Sequence, residues 1–276
     1  MRTIMVATDL GPAGAHALQR ACLIASQHCA SLTILHIAGS LTKALDRALL
    51  AEDLDELAET QAALHPSIQS VTARLVLGGT ANKIAVEAER ANADLIVVSG
   101  HGPTRWADEL FGTTVEKLVR RTALPVLVVR EPARYPYRRI VAAIEEGEIA
   151  RETLELAATI SSADTLFAVH AFLSTLRQMI GAHGDEALVQ DSEQHAIGTM
   201  VEEVLGDRSD VVFAVHPMAR RGEPVDVIVQ AHEQFHADLV VAVTHGRSGL
   251  GLALRGSFAD MLIEEAPFDL LLQHRR

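Results

Sequence analysis

Ala93-Asp-Leu-Ile-Val-Val98 and Ala237-Asp-Leu-Val-Val-Ala242 are nearly the same hexapeptide, 144 residues apart. Each is a short apolar run, rich in β-branched residues, behind a single acid. That is the composition of a strand covered on both faces. The same offset of 144 pairs His101-Gly102 with His245-Gly246, and Gly112-Thr113 with Gly256-Ser257. Earlier in each half, Ile4-Met-Val-Ala-Thr-Asp9 matches Ile140-Val-Ala-Ala-Ile-Glu145 at an offset of 136. Later, Leu124-Pro-Val-Leu-Val-Val129 answers Ala266-Pro-Phe-Asp-Leu-Leu271 at about 142. Offsets that drift by a few residues are the mark of loop insertions in a tandem duplication.

Working outward from these strands, each half alternates strand and helix. In the first, apolar runs predict strands at Thr3–Thr8, Leu32–Ile37, Val71–Leu77, Asp94–Ser99 and Pro125–Arg130. Helical stretches fill Ala13–Ala30, Leu41–His65, Ala81–Asn92 and Thr113–Ala123. The mixed run Val71–Leu77 belongs nearer a sheet edge, and the acid-rich Leu41–His65 helix presents a solvated face. The second half repeats the order, with strands near Arg139–Ile144, Asp164–His170, Val211–His216, Asp238–Thr244 and Pro267–Leu272. The expectation is α/β: two tandem doubly wound parallel sheets with helices on both faces. The domains expected are 1–131 and 139–276, with a linker at 132–138. The proline-bearing junction Glu131-Pro-Ala-Arg-Tyr-Pro-Tyr-Arg-Arg139 reads as a docked linker rather than an RNA-binding element.

Composition narrows the function classes. The 276 residues carry 24 basic and 36 acidic side chains, a formal charge of −12, which disfavours nonspecific nucleic-acid or anionic-membrane binding. No apolar run is long enough to span a bilayer, and residues 1–8 run straight into a strand without signal-peptide character, so the expected location is cytoplasmic. The two cysteines, Cys22 and Cys29, fall on the apolar stripe Leu18, Ala21, Cys22, Ala25, Cys29 of one predicted helix. At ~10 Å of helix rise they are too far apart for a disulfide and read as two small core residues.

In an open α/β sheet, ligands bind beyond the carboxyl ends of the strands. There the sequence places Asp9-Leu-Gly-Pro-Ala-Gly14 after strand one and His36-Ile37 at the end of strand two. After strand four come Ser99-Gly-His-Gly-Pro-Thr104 and then Phe111-Gly-Thr-Thr114, the latter expected to open the next helix. Glycines let backbone N–H groups approach an anion, and Thr113 and Thr114 could cap that helix or donate hydroxyls to a phosphate. No P-loop and no G-x-G-x-x-G after strand one occurs. Among thirteen histidines, His36/His170 and His101/His245 recur as strand-end residues suited to local hydrogen bonds. His183, His195, His232 and His236 have no convincing further ligands beside them, so no metal site is expected. No catalytic constellation can be assigned.

These motifs resemble the universal stress protein family, and the pair resembles its tandem members. The family signature is Gly-x-x-Gly, nine residues, then Gly-Ser/Thr after strand four. Here the first copy has nine residues between Gly102 and Gly112-Thr113, and the second has nine between Gly246 and Gly256-Ser257. The resemblance implies sheet order 3-2-1-4-5 and, in some members, bound ATP. Carried over, the nucleotide roles fall on Ala7, Thr8, Asp9, Ile37, Ser99, Gly102, Gly112, Thr113 and Thr114. In the second copy they fall on Glu145, Ala171, Gly246, Gly256 and Ser257, with Arg247 a further candidate phosphate contact.

Both copies depart from the pattern. Ser99 and Val243 replace the leading glycine, Pro103 removes a backbone donor, and Glu145 replaces the aspartate. The first copy therefore reads as the better site and the second as partly degenerate. The leading expectation is a stress-response protein binding ATP or a related adenine nucleotide, with a divalent metal as a possible companion of ATP. The alternatives are an interaction scaffold with vestigial pockets and, more weakly, a slow ATPase. The family also implies intramolecular pairing of the two domains through their fifth strands, with homodimerisation left open.

Overall fold

The computed structural model describes residues 1–100, 108–145, 147–160, 164–173, 186–206, 214–245 and 258–275. The expected site residues Gly102, Gly246, Arg247, Gly256 and Ser257 lie outside them. The chain forms two compact units, one of residues 1–136 with 263–276 and one of residues 137–262.

In the first unit the chain runs β1 (Thr3–Thr8), α1 (Pro12–His28), β2 (Ser31–Ala38), α2 (Ala44–Leu64) and β3 (Ser70–Leu77). It continues through α3 (Thr80–Arg90), β4 (Leu95–Ser99), α4 (Asp108–Arg121) and β5 (Val126–Val129). The strands lie in the order β3-β2-β1-β4-β5 and all these pairs are parallel. This is the doubly wound arrangement expected from alternating apolar runs. Its central strands are buried throughout their apolar stretch, Ile4 to Val6 and Leu95 to Val97 at 0% exposure. The mixed strand β3 lies at the edge, where alternate side chains face solvent.

The second unit repeats the winding. It contains β6 (Arg139–Ile144), α5 (Glu148–Ile160), β7 (Thr165–Phe172), α6 (Glu186–Leu205), β8 (Ala214–Arg221), α7 (Pro224–Phe235) and β9 (Leu239–His245). The order is β8-β7-β6-β9, again parallel. Helix α8 (Phe258–Glu265) and strand β10 (Leu270–Arg275) follow. Although β10 closes the second sequence repeat, it packs in the first unit, antiparallel to β5, with Leu271 opposite Leu127.

The repeated acid of the opening hexapeptide has a physical role. Asp94 accepts hydrogen bonds from the backbone N–H groups of Arg2 (2.5 Å) and Thr3 (3.0 Å). Asp238 does the same for Arg138 (2.8 Å) and Arg139 (3.1 Å). Each acid thus ties the start of the central strand to its neighbour. A second repeated device follows each third strand. Gly78 (φ +127°) donates to Ala38 O, and Gly222 (φ +152°) donates to Phe172 O. Both φ values favour glycine.

Three expectations need correction. Cys22 is buried, but Cys29 is exposed. Helix α1 stops at His28 and Cys29 adopts a left-handed conformation (φ 48°), so the apolar stripe ends one turn early. Burial pushes the Cys22 thiol up to about 12. Helix α4 already runs at Asp108, so Gly112, Thr113 and Thr114 lie within it and do not open it. Strand β8 continues through Pro217 to Arg221 instead of stopping at His216. Proline is tolerated there because β8 is an edge strand and Pro217 turns its backbone outward, where its carbonyl accepts from Gln194.

Candidate functional site

The register of the first sheet brings the expected residues of β1, β2 and β4 to one end. Thr8 stands beside His36, and Ala7 beside Val98, so Ile37 and Ser99 follow at the same carboxyl edge. In the order 3-2-1-4-5 the winding reverses between β1 and β4, and the crevice of a doubly wound sheet opens there. Ala7, Ile37 and Ser99 are half-buried, Thr8 is 7% exposed and Asp9 is exposed.

The β1–α1 turn is set by its own side chains. Thr8 Oγ1 accepts from the Leu10 N–H at 3.0 Å, and Asp9 Oδ1 accepts from the Gly11 N–H at 2.9 Å. Those two bonds hold Leu10 at φ 64°, a left-handed value that leucine rarely takes. The Asp9 carboxylate is thereby fixed at the sheet end while remaining open to solvent. Gly14 completes the turn, because a Cβ there would collide with both Asp9 Oδ1 and Thr8 Oγ1. Helix α1 begins with no side-chain cap and no acid in its first turn. The Asp9 carboxylate just before it is the negative charge that faces this helix end.

His36 makes a local bond within the sheet. Its Nδ1 is 2.8 Å from Thr8 O, and the equivalent His170 Nδ1 is 2.9 Å from Ile144 O. In both units the ring bridges the ends of the first two strands, the local hydrogen bond expected of a repeated strand-end histidine. Among the described residues, no three His, Cys, Asp or Glu side chains converge to hold a metal ion.

Behind Ser99, the chain is pressed against β5. The Gly100 N–H donates to Val129 O at 2.6 Å, and a Cβ on Gly100 would lie 2.7 Å from Val128 Cγ1. This close approach explains a glycine that the motif itself does not require. On the far side, Thr114 is half-buried on α4; the backbones of Gly112 and Thr113 lie in the same helix.

The corresponding end of the second sheet differs in two ways. Glu145 is half-buried, and the sequence continues through Glu146 to Glu148 in the first turn of α5. Glu148 in that first turn opposes an anion at this helix start. Ala171, half-buried at the end of β7, matches Ile37 of the first unit in supplying no polar side chain. Val243, in the place of Ser99, is 1% exposed, and its N–H donates to Thr153 Oγ1 at 3.3 Å. That position is packed into the core in the second unit and half-open in the first.

The profile of the family described as "Universal stress protein family" matches residues 1–130 and again 136–274. A curated relative, the Universal stress protein E homolog of Haemophilus influenzae, is 26% identical over 208 residues. That match covers 69% of this chain and 65% of the relative, so it spans just under two thirds of the relative's length. A universal stress protein from Archaeoglobus fulgidus superposes with a TM-score of 0.65 at 16% identity, covering 99% of this chain and 98% of its own. A functionally unknown protein from Pseudomonas aeruginosa PAO1 does so with a TM-score of 0.68 at 21% identity, covering 99% of this chain and 92% of its own. At these identities the two structures speak for the fold alone.

Proposed function

Because the chain belongs to the universal stress protein family, in tandem over almost its whole length, we propose that it is a stress-response protein binding ATP or a related adenine nucleotide through its first unit. The observation that carries this reading is the β1–α1 turn. There an exposed Asp9 carboxylate, oriented by the Gly11 N–H, stands where the sheet winding reverses. A carboxylate so held is an acceptor for the amino or hydroxyl groups of an adenosine moiety. The half-buried Ala7, Ile37 and Ser99 supply small or apolar contact surface for a base and sugar. The residues fit the nucleoside part of the ligand. Gly102, Gly112, Thr113 and Thr114 are proposed to face its phosphates, and a divalent cation would arrive with those phosphates.

A second, weaker site in the other unit would use Glu145, Ala171, Gly246, Arg247, Gly256 and Ser257. Its buried Val243 and the acids around the start of α5 favour the rival reading of that unit as an interaction module. Equilibrium titration of the full chain with a fluorescent ATP analogue, displaced by unlabelled ATP, separates the two. The expected result is one saturable site per chain, weakened at least ~10-fold by Asp9→Ala and unchanged by Glu145→Ala. Absence of saturation below millimolar concentration removes the nucleotide reading and leaves the interaction module. Phosphate release in the same samples tests the slow-ATPase alternative.

A further inference from the structure

Helix α2 packs its inner face through Leu54 (1% exposed) and Ala58 (6%). The opposite face is unusual. Leu45 is 71% exposed and Leu49 52%, and Leu41, four residues before Leu45, is 96% exposed. Within the helix a spacing of four places Leu45 and Leu49 one above the other, and Leu41 stands in the turn before it. Continuing along the same side, Glu52, Glu56 and Glu59 follow at spacings of three and four, and all are exposed. The outward face of α2 is therefore bipartite, with an apolar N-terminal part and an acidic C-terminal part. From Leu45 to Glu59 it runs ~21 Å at the helical rise. Among the described residues of the counterpart helix α6, Ile197, Val201, Val204 and Leu205 are all buried.

Scattered exposed leucines need no explanation, but an aligned set beside an aligned set of like charges is a pattern. We propose that this face of α2 docks a basic amphipathic helix of a partner protein. Its apolar side chains would cover Leu41, Leu45 and Leu49, and its Lys or Arg side chains would meet Glu52, Glu56 and Glu59. Charge decides the occupant. A second copy of this chain brings its own three glutamates, so a parallel pairing sets like charges against each other and an antiparallel one sets leucines against glutamates. An anionic lipid surface is disfavoured for the same reason. A cationic helix satisfies both halves of the stripe, and it does so independently of the nucleotide reading of Asp9.

The probe is a fluorescein-labelled 18-residue Leu/Lys peptide with leucines at helical spacing, titrated into the full chain and followed by fluorescence anisotropy. A peptide of identical composition in scrambled order is the control. The expected result is saturable binding of the amphipathic peptide and at least tenfold weaker binding of the scrambled one. The double variant Leu45→Ser/Leu49→Ser should lose at least tenfold in affinity, and Glu52→Lys/Glu56→Lys should lose as much. Circular dichroism should show both variants folded, since all four side chains are exposed. Four outcomes overturn the proposal: no saturation with the wild-type chain, equal binding of the scrambled peptide, unchanged binding by the leucine variant, or unchanged binding by the charge variant. Light scattering on the peptide-free chain tests the rival occupant. A dimer that becomes a monomer in the leucine variant assigns the face to a second copy and also overturns the proposal.

Discussion

At the scale of single residues, the decisive interactions are short backbone-to-carboxylate bonds that recur in both units. The Asp94 carboxyl is pushed up by its partial burial. The N–H bonds from Arg2 and Thr3, helped by the N-terminal ammonium and Arg2, outweigh that and leave it below the usual carboxylate range. A depressed folded pKa contributes stability above the unfolded value of ~3.9, and that contribution disappears as pH falls through the folded value. Asp94→Asn should therefore lower the melting temperature at pH 7 relative to the parent, with the difference closing as the pH is taken below ~4. The group is exposed, so solvent screening keeps the effect under ~1 kcal/mol. A melting series against pH checks it; a difference that persists unchanged at pH 2.5 would falsify the linkage. Gly14 is a sharper case. Alanine in a helix gains ~1 kcal/mol over glycine, but here the added Cβ drives into Thr8 Oγ1 and Asp9 Oδ1, both engaged in the turn. Overpacking of this kind costs ~1–3 kcal/mol. The clash should win, so Gly14→Ala should melt lower and also weaken nucleotide binding by turning Asp9. Both effects can be read from one preparation.

At the scale of elements, the open edge of β8 is closed by side chains rather than by another strand. Gln194 of α6 donates to Pro217 O at 2.6 Å and accepts from the Ala219 N–H at 2.9 Å, while Gln190 donates to Ala219 O. Two glutamine amides thus satisfy backbone groups that would otherwise offer a template for pairing with another chain. Gln194→Ala should cost ~1–3 kcal/mol through the freed carbonyl and amide. It should also raise concentration-dependent aggregation, measured by light scattering on heating; equal aggregation of variant and parent rejects the protective role. None of this was legible in the sequence, because an exposed-looking glutamine on a helix carries no sign of its partner. What was legible were the elements with strong periodicity. β1 and β6 have the bounds their apolar runs predict, and the edge position of β3 followed from its mixed pattern. The misses share one cause. The burial of Cys29, the start of α4 and the end of β8 all follow, in a sequence reading, from extending or stopping a local pattern. A left-handed residue, a helix already running and an outward-facing proline lie outside that pattern. The cysteines give a simple check: a thiol reagent should label Cys29 rapidly and Cys22 only on unfolding, since the Cys22 thiol is buried and pushed up to about 12.

At the scale of the whole molecule, half of the candidate site was legible because a rule of topology, not of local sequence, collects Ala7, Thr8, Asp9, Ile37 and Ser99 at one sheet end. The placement of β10 was not legible from apolar runs alone, since strand pairing across about 140 residues depends on side chains far from either run. Asp269, beside β10, is 3% exposed and accepts from the backbone N–H groups of Arg130 (2.7 Å) and Glu131 (3.3 Å). It also lies 3.5 Å from Nε of Arg20, itself 6% exposed on α1. Arg20 in turn donates to Tyr135 O at 2.8 Å, and Arg130 donates to Ile263 O. One buried carboxylate thus joins α1, the end of β5 and the start of β10. Removing it takes the carboxylate from the Arg20 guanidinium and the acceptor from two backbone N–H groups. A broken buried pair costs ~3–5 kcal/mol, so Asp269→Ala should unfold at a clearly lower denaturant midpoint, whereas Asp269→Asn, which keeps one acceptor oxygen, should lose less. The same reasoning predicts the behaviour of residues 1–136 made alone. Every side chain of β5 is buried in the full chain, and without β10 its outer backbone edge has no antiparallel partner. Such an edge pairs with whatever strand is nearest, and at micromolar concentration that is the β5 of another fragment. The fragment should therefore elute as a dimer or larger species by light scattering coupled to size exclusion. A monomeric fragment that melts as cooperatively as the parent would mean that the β5–β10 pairing adds little, and that the first sheet is complete with five strands.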